Sequence, residues 1–91
     1  MQVVVHYVAQ LRRAAGCAAE QVDAEPGLTL GDLLQRLVER HGAAFRTLLL
    51  GDNGRPRPSL LAFVGEQAAD TCSILHEGDQ ITLLSPMAGG A

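Results

Sequence analysis

The chain has 91 residues, 47% of them apolar, and a formal net charge of -3. That length bounds it to one domain, and the composition is one that folds around a core rather than staying disordered. A net negative charge without a basic patch or an aromatic platform excludes a nucleic-acid binder, and no apolar run approaches membrane-spanning length, so the expectation is a cytoplasmic protein without a signal peptide.

All seven basic residues are arginine. Without lysine, lysine-linked chains of this protein on itself are excluded, and the N-terminus is left as its one primary amine. Tryptophan is absent, and Tyr7, Phe45 and Phe63 are the three aromatics. The core must therefore be built from Leu, Val, Ile and Ala. Cys17 and Cys72 lack the spacing of a metal or redox motif and read as reduced thiols. His6, His41 and His76 share no metal-ligand spacing either, so no metal site is expected.

In chain order, Gln2 to Ala9 reads as a strand with Val3, Val5 and Tyr7 on one face and Val4, His6 and Val8 on the other. Apolar residues on both faces imply an interior strand. Arg12 to Ala19 suits a turn, and Glu20 to Glu25 a second strand completing a hairpin. After Pro26-Gly27, Thr29 has the character of a helix N-cap, with Asp32 as an acidic variant of the capping-box partner. Leu30, Leu33, Leu34, Leu37 and Val38 then make the stripe of an amphipathic helix, with Asp32 and Arg36 spaced to pair at i, i+4. His41 falls in its last turn, and Gly42 stops it.

Leu48 to Leu50 reads as a short strand, Gly51 to Pro58 as a polar loop, and Leu60 to Val64 as a strand turned by Gly65-Glu66. His76-Glu77-Gly78-Asp79 is a tight turn, held by Asp79, into a last strand from Gln80 to Leu84. One main helix can cover one face of a mixed sheet whose first and last strands lie side by side. The expected fold is α+β, a β-grasp or ubiquitin-like roll: a single domain over residues 1–91 with a tail over 85–91.

That tail, Ser85-Pro86-Met87-Ala88-Gly89-Gly90-Ala91, is the most informative segment. Gly89 and Gly90 carry no side chains, so they can thread a narrow channel into another protein's active site. The run from Leu75 to Gly90, with its acidic-Gly-Asp turn, apolar strand and terminal Ala-Gly-Gly, resembles the closing motif of the MoaD/ThiS ubiquitin-like sulfur carriers. The opening Val5-His6-Tyr7-Val8-Ala9-Gln10-Leu11-Arg12 resembles the start of the small subunit of molybdopterin synthase. Leu61-Ala62-Phe63-Val64-Gly65-Glu66 is similar to the family's strand and Asn-Gly-Glu turn, with the Asn lost.

The resemblance implies a carrier rather than an enzyme, one that can form the small subunit of a molybdopterin-synthase-type complex. An E1-like adenylating partner would use ATP to activate the Gly90 carboxylate. A sulfur donor would then displace AMP to leave a thiocarboxylate for a larger synthase subunit or another acceptor. No cofactor is bound stably. Leu84, Pro86, Met87 and Ala88 are the docking candidates. Ala91 departs from the family pattern, because it ties up the Gly90 carbonyl in a peptide bond. A metalloprotease trims it, or it is foreign or tolerated, or the protein has left sulfur chemistry. The alternatives are a ubiquitin-like modifier of other proteins, a carrier for thiamine, cysteine or another sulfur metabolite, and a non-catalytic binding module.

Overall fold

The computed structural model describes residues 1–51 and 54–85. In chain order these form β1 (Gln2–Ala9), α1 (Gln10–Ala15), β2 (Ala19–Asp23), α2 (Leu30–His41), α3 (Ala43–Leu49), β3 (Leu61–Val64), β4 (Gln67–Ala68) and β5 (Gln80–Ser85). The strands make one sheet in the order β2-β1-β5-β3-β4. β1 lies antiparallel to β2 and parallel to β5, and β3 runs antiparallel to β5. First and last strands side by side at the centre, with the long helix on one face, is the β-grasp arrangement.

Alternation in the strands decides which face is covered. Val3, Val5 and Tyr7 of β1 and Ile81 and Leu83 of β5 point into the core. Leu30, Leu33, Leu34, Leu37 and Val38 of α2 meet them there. Each such side chain taken out of water contributes about 1.5–3 kcal/mol before the entropy of ordering it is counted. The start of α2 is fixed reciprocally, as the pattern of Thr29 and Asp32 predicts. The amide of Asp32 donates to Thr29 Oγ1 at 3.2 Å, and the amide of Thr29 donates to Asp32 Oδ2 at 3.4 Å. The turn before β5 is likewise held by Asp79, whose Oδ2 accepts from the His76 amide at 2.8 Å.

The structure departs from the sequence reading at several points. The expected turn after β1 is a helix, α1, which buries Leu11 and ends on Gly16 in the left-handed conformation. The expected strand at Leu48 to Leu50 is instead the end of α3, which buries Phe45 and Leu49 one turn apart. Only Leu50 keeps extended geometry, bridging to Pro56. Gly42 joins α2 to α3 at φ 84, a backbone conformation that L side chains adopt at a cost. The second strand runs from Ala19 to Asp23 rather than from Glu20 to Glu25. β4, two residues long, was not foreseen. Arg36 does not pair with Asp32. It reaches back across the fold to the Glu25 carboxylate and to the carbonyl of Asp23 at 3.0 Å, a tertiary partner that outcompetes the local one. Both cysteines are free thiols, as their spacing leads one to expect, and Cys72 is exposed.

One polar cluster ties the layers together. Glu20 of β2 accepts from the hydroxyl of Tyr7, from Arg40 Nη1 at 2.8 Å and from the ring of His41, whose Nε2 lies 2.5 Å away. The His41 ring rests on Phe45 with centroids 4.4 Å apart, and Tyr7 meets Phe45 edge-on at 5.2 Å. Burial alone would raise the Glu20 pKa. The bonds from Tyr7, His41 and Arg40 outweigh it and hold the carboxyl below its ordinary value of 4.5. Burial, and then the Glu20 carboxylate, push the Tyr7 hydroxyl well up.

A carboxyl with a depressed folded pKa contributes stability above the unfolded value and loses it as pH falls through the folded one. Glu20→Gln is therefore expected to cost about 1.5–3 kcal/mol at pH 7 and to flatten the loss of stability below pH ~4.5. Urea melts at pH 7 and pH 3 check this; an equal cost at both values would refute it.

Candidate functional site

The site is assembled where the sheet delivers the end of β5. β1 and β5 run in register from Val4 opposite Gln80 to Ala9 opposite Ser85. Ser85 is thus the last residue of β5 rather than the first of a tail, and it is buried. Pro86, Met87, Ala88, Gly89, Gly90 and Ala91 lie outside the described residues. Leu84 is the one docking candidate that the structure places.

Leu84 does not finish the core. Residues 81, 83 and 85 point inward, so Leu84 points to the face of the sheet that α2 leaves uncovered. Its neighbours across the strands are Val8 on β1 and Leu61 on β3. Directly opposed residues share a face, so the three side chains form one row about 10 Å long at the spacing of neighbouring strands. Val8 is 39% exposed and Leu61 43%. The next row back holds His6, Thr82 and Phe63, and the His6 ring is tied to Gln80 Oε1 at 2.6 Å. An apolar row at the end of a solvent-facing sheet, beside Ser85, is the kind of surface a partner covers.

Ala9 completes the geometry. It has φ 58 and ψ -121, the only non-glycine residue among those described with positive φ. Such a conformation costs on the order of 1–3 kcal/mol in an alanine. It turns the chain sharply from β1 into α1 beside Ser85, so α1 flanks the exit instead of continuing across it.

Val8 and Leu61 were missed as site residues. In both strands, apolar residues fill successive positions, and a run of that kind reads as buried on two faces. The signal that could have found them is the single long amphipathic helix, which can cover one face only. Among the described residues no cluster of His, Cys, Asp and Glu could hold a metal, and no helix is long and apolar enough to cross a membrane.

Comparison with known proteins gives a consistent picture. Residues 5–90 match the ThiS family. The chain is 30% identical over 82 residues to small archaeal modifier protein 1 of Haloferax volcanii, covering 90% of this chain and 93% of that protein. The crystal structure of that Haloferax modifier superposes with a TM-score of 0.89 at 28% identity, covering 99% of this chain and all of the other. A putative molybdopterin converting factor subunit 1 from Pyrococcus furiosus has the same fold, with a TM-score of 0.78 at 23% identity over 96% of this chain and 99% of its own.

The two faces of β5 predict responses to truncation of different size. Leu83→Ala should cost about 2–5 kcal/mol, as a cavity in the core does, while Leu84→Ala should cost under about 1.5 kcal/mol. Chemical denaturation of both variants measures the difference. Equal costs would mean that Leu84 belongs to the core after all.

Proposed function

The chain belongs to the ThiS family of ubiquitin-like carrier and modifier proteins, and from that premise we propose that it carries sulfur as a thiocarboxylate on Gly90, exposed by removal of Ala91, in the synthesis of molybdopterin. The observation that carries this reading is the place where β5 ends. Five residues separate Ser85 from the end of Gly90, and an extended chain of that length spans at most about 17 Å. The sheet gives the tail a fixed origin next to an apolar row that a partner can hold, and the glycines fit a narrow channel.

The chemistry explains why the chain needs partners. A carboxylate is a poor electrophile. Attack of a Gly90 carboxylate oxygen on the α-phosphorus of ATP, in an E1-like partner, releases pyrophosphate and gives an acyl adenylate. Sulfide from a sulfur donor then adds to the carbonyl carbon and expels AMP, leaving the thiocarboxylate. Transfer of its sulfur to the acceptor, in a larger synthase subunit, and hydrolysis of the spent acyl group return the carboxylate. Glycine puts no bulk beside the attacked carbon. The fold supplies reach and orientation, and docking at Val8, Leu84 and Leu61 makes the attack effectively intramolecular within the complex.

A second reading has its own support. The 30%-identical relative is named a modifier. A modifier passes the same activated acyl group to an amine of a target protein. The absence of lysine here would keep the protein from being its own lysine target.

Intact mass spectrometry distinguishes these outcomes. The chain, and a version ending at Gly90, are incubated with ATP, a sulfur donor and host extract. Loss of Ala91 with exchange of one oxygen for sulfur is the expected result, abolished without ATP. Leu84→Asp is expected to slow the exchange at least tenfold while leaving the fold intact. Isopeptide adducts without sulfur exchange would favour the modifier. No change in either chain would overturn the carrier reading.

A further inference from the structure

Resting on the carrier reading, we propose that the arginines of α1 and α3 form a basic collar around the tail's exit, and that this collar docks on an acidic rim around the activating partner's channel. The fold sorts charge along the sheet. At the end where β1 and β5 finish and β3 begins, α1 follows Ala9 directly and packs against both β5 and α3. α1 contributes Arg12 and Arg13, and α3 contributes Arg46, all three exposed. The residues leading into β3 add Arg57, whose Nε donates to the carbonyl of Thr47 in α3 at 2.6 Å, holding that cation against the same group of elements.

The opposite end of the sheet is acidic. Asp23 closes β2, Glu66 sits in the turn after β3, and Glu77 and Asp79 lie in the turn before β5. Glu77 Oε1 accepts from the Gln2 amide at 3.0 Å, at the start of β1. The ion pairs among the described residues are made by Arg36, Arg40, His41 and His76, and none involves Arg12, Arg13 or Arg46. Those three cations keep their charge available to a partner. Asp70 lies toward the same end, beside Leu60 and Ala62, so among the described residues the arginines outnumber it there in a chain whose net charge is -3.

Distance says what the collar meets. The reacting carboxylate lies up to about 17 Å beyond Ser85 when the tail is extended. That exceeds the Debye length of about 8 Å at physiological salt. A tail inserted at that full length would leave the collar at the mouth of the channel rather than beside the ATP phosphates, where the chemistry that fits it is carboxylate side chains of the partner protein. Charge of this kind acts on encounter and orientation more than on the chemical step.

The test uses the chain in whichever form is activated, with the activating enzyme purified from the host by that activity. Arg12→Gln with Arg13→Gln removes two positive charges from the collar using good helix formers. Gln67→Glu with Ala68→Glu makes the same net change on β4, at the far end. The collar variant is expected to lose about tenfold in kcat/KM for ATP-dependent activation at 50 mM salt, with kcat at saturation unchanged, and the deficit should vanish at 500 mM. The β4 variant should match the wild type within twofold. A collar variant as active as the wild type at low salt, or an equal loss in both variants, overturns the collar while leaving the carrier reading intact. A wild-type chain that the enzyme does not activate at all, trimmed or untrimmed, overturns both.

Discussion

The parallel pairing of β1 with β5 is the constraint on which the rest of the molecule depends. It joins the two ends of the chain at the centre of the sheet, from Val4 beside Gln80 to Ala9 beside Ser85. Parallel strands cannot be linked by a tight turn, so the hairpin, both remaining helices and two further strands must fit between them. The pairing also fixes direction. Because β5 ends level with β1, Ser85 lies at one end of the sheet, near Val8, Leu61 and α1. An antiparallel last strand would release the tail at the other end, among the acidic turns.

The two faces of the sheet divide the work. α2 covers the inner face, and its five apolar side chains account for much of the core. The outer face stays open and carries the apolar row through Leu84. The covered face supplies the core, and the open face is the one on which docking is proposed, so parity alone decides which of the two a side chain on one strand belongs to. The cluster around Glu20 has a structural part in this. It holds β2, at the sheet's edge, to the end of α2 and to Tyr7 of β1. Its carboxylate accepts hydrogen bonds from side chains of two other elements, β1 and α2.

What could be read from sequence followed from how long each pattern runs. β1 was legible with its observed bounds because an apolar run rich in valine, Val3, Val4, Val5 and Val8, fills it on both faces. α2 was legible because its stripe repeats over three turns between a capping box and a glycine. α1 has six residues and one buried side chain, Leu11, so it offers no period to read. In α3 the pair Phe45 and Leu49 carries a helical spacing, but the run of leucines from Leu48 to Leu50 masks it and suits a strand equally well. Arg36 shows the limit of local rules, since Glu25 is near only after the chain has folded. Exposure at Val8 and Leu61 depends on how many elements cover the sheet, which is a property of the whole fold.

The central claim is that the fold sets the origin and reach of the tail while the sheet face sets docking, so the two should separate. The most direct measurement deletes Met87 and Ala88 from the Gly90-ended chain, which shortens the reach by about 7 Å, and compares ATP-dependent activation with affinity for the activating partner. The account predicts affinity within a few-fold of the full tail, and activation reduced by at least a hundredfold. Activation at an undiminished rate would contradict it, because the position of Ser85 beside Ala9 would then have no bearing on where the carboxylate is delivered.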